Sequence, residues 1–452
     1  MQDKSSPRRE QGGRAETAPE PIRVEGIVTG GLGFYVDAGR RVHVPGGLPG
    51  DRVRVGAARK TEAGFFADIL ETVDFGIDRR EPPCAHADIC GGCQWQVLPY
   101  VDQLRLKREM VKSAFEDRGV RTFVPEVLPS PAELRYRDRV DYSFGRGADG
   151  SAVVGLHRAD EGVFQVQDCL LQSEEANEAR RGLARALGET RLRPYDDTRR
   201  TGVLRGLVVR EGEDACGATL VVSSDKHLPL AALGEAAVAV GLTVHVNRRR
   251  SRHAPPRIEH VVTGTGWIET VRSGLSLRIS PGTFTQVNTG QADRLSEVAL
   301  DLAGIRSGER VVDLYCGVGI LSMLSASAGA TVLGVEISKA AVNDARVNIE
   351  SNRIDGCRIC QDDAEGEAWP AQIEDADVFL INPPRAGIEP GVVERVCAFE
   401  PQRIVYVSCN PLTLARDVQR FRRAGYEMTD IRPVDMFPQT VHVEVVVRLE
   451  RS

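Results

Sequence analysis

The chain has 452 residues, 42% of them hydrophobic and 27% charged. That balance excludes an intrinsically disordered or collagen-like chain, and the length calls for two to four domains. Lys and Arg number 58 against 64 Asp and Glu, a net charge of -6, which taken alone argues weakly against a nucleic-acid partner.

Residues 1–20 are polar and read as a disordered tail with no secretory signal. No run of eighteen apolar residues occurs, so no helical membrane span and no membrane partner are expected. The expected location is a reducing one, the cytoplasm, where grouped cysteines bind metal or do chemistry more often than they form disulfides. Residues 21–76 read as short strands broken by glycine turns, at Gly30-Gly31-Leu32-Gly33 and at Gly46-Gly47-Leu48-Pro49-Gly50. Turn signals this frequent predict a small β-barrel of the oligonucleotide-binding type.

Cys84, Cys90 and Cys93 follow in a Cys-x5-Cys-x2-Cys run, with Cys169 the nearest fourth candidate along the chain. Four thiolates fit an iron–sulfur cluster or zinc, and free thiols are the third reading. The pattern from Pro99 to Arg118 is helical, and Val124 to Thr270 mixes strands and helices in a central α/β region. Two basic patches lie there: Arg191, Arg193, Arg199, Arg200 and Arg205, then Arg248, Arg249, Arg250, Arg252 and Arg257. Such runs serve either as solvated faces or as phosphate contacts.

From Leu277 onward, short apolar strands alternate with helical patterns, which predicts a doubly wound, Rossmann-like α/β domain. Asp313-Leu314-Tyr315-Cys316-Gly317-Val318-Gly319 follows its first strand, Glu336 ends the next, Asp363 lies beyond the third and Asn382-Pro383-Pro384-Arg385 ends the fourth. Ser322 replaces the third glycine of a dinucleotide fingerprint. A smaller nucleoside, S-adenosylmethionine (SAM), therefore suits this edge better, with Glu336 on the ribose and Asp363 near the adenine. Cys409, in Ser408-Cys409-Asn410-Pro411, falls between the fifth strand and a helix start, where N–H groups favour a thiolate. Beside SAM, a thiolate that adds to C6 of a pyrimidine makes C5 nucleophilic, and a base must then take the C5 proton. Glu444, a carboxylate within the apolar run Val443 to Val446, is the candidate base, its pKa raised by burial; a solvent-facing strand position is the alternative.

These motifs in this order resemble the RNA uracil-5-methyltransferase family of the iron–sulfur type, most like its 23S ribosomal RNA 5-methyluridine members, over nearly all of the chain after residue 20. Val44-Pro45-Gly46-Gly47-Leu48-Pro49-Gly50-Asp51 is similar to that family's TRAM domain, and Tyr100 to Lys107, Arg135 to Val140 and Gly155-Leu156-His157 match further segments. The resemblance implies a [4Fe-4S] cluster on Cys84, Cys90, Cys93 and Cys169, with zinc the lesser alternative. It implies SAM contacts from Gln286 (in Phe284-Thr285-Gln286-Val287-Asn288), Tyr315, Gly317, Glu336, Asp363 and Asn382. Cys409 falls on the nucleophile and Glu444 on the base. Two positions depart from the family: Asn382 stands where Asp is usual, and Ile320 stands where some members carry Asn. The implied layout is a tail over 1–20, a TRAM barrel over 21–76, a central cluster-bearing and RNA-binding domain over 77–96 and 123–274, and a methyltransferase domain over 97–122 and 275–452. The implied activity is 5-methyluridine formation in structured RNA by a monomer without an obligate protein partner. The alternatives are an amino-group methyltransferase using the Asn-Pro-Pro-Arg turn and a catalytically silent cluster- or zinc-bearing RNA-binding protein.

Overall fold

The structure is a computed structural model that describes residues 20–147, 150–237, 240–248 and 258–452. Most of the second basic patch, Arg249, Arg250, Arg252 and Arg257, lies outside the described residues, as does nearly all of the polar tail. Among the described residues no helix is long and apolar enough to cross a membrane. The chain divides into two compact units, Met1–Asp78 and Arg79–Ser452.

The first unit is all β. Gly30 and Gly31 take positive φ at the turn into the strand Leu32–Asp37. Hydrogen bonding divides its strands between a five-stranded and a three-stranded sheet, where the sequence pattern suggests one barrel. Val24, Val44 and Val53 form its small core.

The second unit holds two seven-stranded sheets. One is nearly all antiparallel, with Arg139–Arg146 and Leu204–Glu211 paired at its centre and Cys216–Val222 parallel to Val240–Val246. The helix Glu174–Gly188 packs its buried stripe on this sheet, and Ser173 caps it by accepting from Ala176 N.

The other sheet runs Cys357–Gln361, Thr331–Glu336, Arg310–Leu314, Val378–Ile381, Arg403–Ser408, Glu444–Arg451 and Tyr426–Val434. Its first five strands are parallel and the last two antiparallel to their neighbours. Alternate residues feed two cores: Val312, Phe379 and Tyr406 on one face, Val311, Val378 and Val405 on the other. Burial of both faces explains why these strands read as unbroken apolar runs. Helices Tyr100–Glu116 and Pro411–Arg423 supply one core and Thr289–Ala303 the other. Strand order reverses between Arg310–Leu314 and Val378–Ile381, and an open sheet of this kind has its ligand crevice at the carboxyl ends beside that point.

Candidate active site and cysteine cavity

The crevice at the reversal is a cavity of about 110 Å³ whose wall includes Gln286, Tyr315, Gly317 and Asn382. Tyr315, with φ of 63°, and Gly317, with φ of 56°, both turn left-handed, so the loop curls over the strand end. Glu336 holds that loop: the Gly317 N–H donates to its Oε2 at 3.0 Å and the Ser338 N–H to its Oε1 at 2.7 Å. A carboxylate accepts at about four positions, so two remain for hydroxyls. Asp363 is not part of the cavity wall. It accepts from Glu365 N at 3.0 Å and lies close enough to Tyr315 to add to the rise that burial causes in that phenol, to about 12. Asn382 donates its N–H to Leu314 O at 3.3 Å, fixing the two strand ends across the reversal. Ile320 opens the helix Ile320–Ser327 and lines the cavity with an apolar side chain.

Ser322, where a third glycine would stand, donates its hydroxyl to Asp313 at 2.6 Å. Burial pushes Asp313 up to about 7 despite that bond. A Cβ on Gly334 would come within 2.9 Å of both Ser322 Oγ and Cys316 Sγ, so the close strand–helix approach is made by a glycine on the next strand instead.

Cys409 and Glu444 stand within electrostatic reach of one another at the ends of the adjacent strands Arg403–Ser408 and Glu444–Arg451. Glu444 is 2% exposed, and burial raises its carboxyl to about 7, with the Arg385 guanidinium pulling it down. The Cys409 thiol is raised, first by burial and then by Glu444, while Arg385 and a backbone N–H lower it. Burial and a neighbouring carboxylate therefore act against the thiolate, while Arg385 and a backbone N–H act for it. Asn410 caps that helix, accepting from Leu412 N at 3.2 Å, and donates from Nδ2 to Arg385 O at 3.1 Å.

Arg385 is a candidate site residue that sequence reasoning left without a role. It lies close enough to Cys409 to lower that thiol, and 3.4 Å from the His442 ring. Its signal was present in the Asn-Pro-Pro-Arg turn, but its neighbours Cys409 and His442 flank other strands. Burial, then Arg385, Lys107 and Arg137, lower His442 to about 4, which leaves a neutral imidazole at pH 7 beside the pair. Lys107 is a second omission: it is fully buried on the apolar stripe of Tyr100–Glu116, where it pairs with Asp435 at 2.5 Å and donates to Phe437 O at 2.9 Å. A lysine on a buried helix stripe was the available signal.

Cys84, Cys90, Cys93 and Cys169 line one separate cavity of about 230 Å³. Loop backbone serves their sulfurs: His86 N–H donates to Cys84 Sγ and Gly92 N–H to Cys90 Sγ, both at 3.4 Å. Burial pushes Cys93 up to about 12, with Cys169, Cys90 and Cys84 adding to the rise. Four thiols facing one space cannot all ionise without a cation among them. Among the described residues, no three His, Cys, Asp or Glu converge tightly enough to hold a single metal ion. Arg135, at φ of 55°, donates to Cys169 O at 3.1 Å and pairs with Asp168 at 2.8 Å, holding the fourth cysteine to the rim. The remaining cysteines, Cys216, Cys316, Cys357, Cys360 and Cys397, are unpaired and buried or half-buried.

The family model for tRNA (uracil-5-)-methyltransferases matches residues 271–452. An uncharacterised RNA methyltransferase of Gloeobacter violaceus is 34% identical over 457 residues, covering 97% of each chain. One from Halalkalibacterium halodurans is 31% identical, over 95% of this chain and 96% of that one. Among solved structures, the Pyrococcus abyssi tRNA (uracil-54, C5)-methyltransferase in complex with S-adenosyl-L-homocysteine matches with a TM-score of 0.76 and 27% identity, over 95% of this chain and 99% of that one.

Proposed function

The chain belongs to the RNA (uracil-5-)-methyltransferase family, and from that premise we propose that it methylates C5 of a uridine in structured RNA through a covalent bond between Cys409 and uracil C6. Membership sets aside amino-group transfer and a silent binding protein. The observation that carries the mechanism is the pairing of Cys409 with a fully buried carboxylate, Glu444, on neighbouring strand ends, with one guanidinium serving both.

SAM, bound in the crevice, supplies the electrophilic methyl group. Gln286, Tyr315, Gly317, Glu336 and Asn382 fit it as walls and hydrogen-bonding partners, with Asp363 at the rim. Asn382, lacking the charge of the usual Asp, orients by its amide. The Cys409 thiol loses its proton to solvent and the thiolate Sγ adds to C6, which turns C5 into a carbon nucleophile that takes the methyl and leaves S-adenosylhomocysteine. Glu444, near 7, is half ionised at neutral pH and takes the C5 proton. The C6–S bond then breaks and the thiolate is released. Arg385 lowers the cost of charge on both residues, and neutral His442 adds no second positive charge beside it. The target base must leave its stack to reach Cys409, which favours a loop or bulge.

We read the four cysteines as the holder of a [4Fe-4S] cluster, which would supply a structural cross-link or a one-electron redox centre. Zinc needs its sulfurs within about 2.3 Å of one point, whereas a cluster spreads them over several irons. A cavity of about 230 Å³ suits the larger group. Residues 21–76 are read as a TRAM domain, the two sheets of the second unit as central and methyltransferase domains, and the enzyme as a cytoplasmic monomer. For the substrate we favour ribosomal RNA, 23S above all, on the motif resemblance. Transfer RNA is the second reading, favoured by the likeness to the Pyrococcus abyssi enzyme. Mapping 5-methyluridine in ribosomal and transfer RNA from a strain lacking this protein decides between them, and loss from neither sinks the activity.

A further inference from the structure

The segment between Asp435 and Glu444 is tied down at two points. Its start is held by Lys107, through Asp435 and Phe437 O. Its middle is held by Gln439, which is fully buried and has φ of 70°. A glycine adopts that backbone without steric cost, so what Gln439 adds there is its amide.

The amide oxygen and the backbone N–H of Gln439 together close a reciprocal pair with Gln103. Gln439 N–H donates to Gln103 Oε1 at 2.8 Å, and Gln103 Nε2 donates back to Gln439 Oε1 at 3.0 Å. Both partners also grip Trp95: its N–H donates to Gln439 O at 3.0 Å, and its carbonyl accepts from Gln103 Nε2 at 3.0 Å. Trp95 lies two residues beyond Cys93, and Gln439 five residues before Glu444. A second tie runs beside the first. Tyr136 donates its hydroxyl to Pro438 O at 2.9 Å, and Cys93 and Cys169 lie within electrostatic reach of that phenol. The cysteine loop and the segment that leads to the base therefore share one buried hydrogen-bond network.

We propose that Gln439 is a positioning residue through which the four-cysteine site sets the location of Glu444. The inference rests on the roles given above to Glu444 and to the cysteines, and it adds a consequence that neither contains. Disturbing the cysteine site or Gln439 disables proton abstraction first and leaves cofactor binding intact, because Glu336, Gly317 and Asn382 stand at or just beyond the ends of other strands with their own supports.

The first test is Gln439→Gly, which keeps the backbone geometry and removes the amide. The expected result is at least a tenfold slower release of tritium from C5-labelled uridine RNA. A denaturation-stable RNA–protein adduct should accumulate, and SAM affinity by calorimetry should stay within twofold. Wild-type tritium release, or an equal loss of SAM affinity, overturns the proposal. The second test needs no variant. Hydrogen exchange of the wild-type protein, anaerobically purified and then treated with an iron chelator, should lose protection over 436–443 and keep it over 310–336. Unchanged exchange over 436–443 overturns the coupling. Failure of the underlying reading looks different: wild-type protein that releases no tritium removes the proposed reaction, and wild-type protein that carries neither iron nor zinc removes the cysteine half, leaving the glycine variant to decide the positioning.

Discussion

Cys409 and the four-cysteine cavity use the same side chain in opposite surroundings. Cys409 has one guanidinium and one carboxylate beside it, so its charge can come and go within a reaction. Cys84, Cys90, Cys93 and Cys169 share one cavity, where burial and the neighbouring thiols push Cys93 up to about 12, so under the proposed reading they ionise only with a cation bound among them. A thiol's neighbours, more than its own burial, separate a nucleophile from a ligand.

The largest effect that tests this contrast comes from Cys409→Ala. Methylation should fall by at least about a thousandfold, with no RNA adduct, while metal content stays at the wild-type level. The reciprocal change, Cys93→Ser, should remove the metal and leave Cys409 open to alkylation by iodoacetamide. If either substitution abolishes both properties, the two regions are not chemically distinct. Glu444→Gln should slow turnover by about 10²- to 10⁴-fold and trap the adduct on a denaturing gel, because C6–S cleavage waits for loss of the C5 proton. A Gln variant that turns over without an adduct contradicts the assigned base.

The buried carboxylate also leaves a pH signature. Its pKa is near 7 when folded, against an ordinary 4.5. Between those values the unfolded chain gives up the proton first, so wild-type stability falls across that window and the loss is complete above 7. Glu444→Gln removes the effect, so its stability relative to wild type should rise by about 3 kcal/mol between pH 4 and pH 8 in urea titrations. A difference independent of pH would mean that Glu444 is not buried as described. The smallest effect is expected of Arg385→Met. Loss of the guanidinium leaves both Cys409 and Glu444 harder to ionise, and the pH dependence of alkylation at Cys409 should move up by about one unit.

What could be read from the sequence was what lies at strand ends. Gly317, Glu336 and Asn382 each follow an apolar run, and a parallel sheet puts all such ends along one edge. Glu444 stood out as a carboxylate in an apolar strand, and the cysteine loop by its spacing. What could not be read depends on distant pairing. Arg385 reaches Cys409 only because Val378–Ile381 and Arg403–Ser408 lie side by side. Gln439 meets Gln103 across 336 residues of chain. The division of the first unit into two sheets likewise follows from strand pairings that turn signals do not specify. The burial and the Glu444 carboxylate that act on Cys409 also come from packing that its place before a helix start does not specify.

The central claim is that carbon methylation proceeds through addition of Cys409 to C6. Structured RNA carrying tritium at C5 of uridine, incubated with the enzyme and SAM, tests it most directly. The account predicts one tritium released for each methyl group transferred by the wild-type enzyme, and neither event with Cys409→Ala. Methyl incorporation that leaves the tritium in the RNA would contradict it.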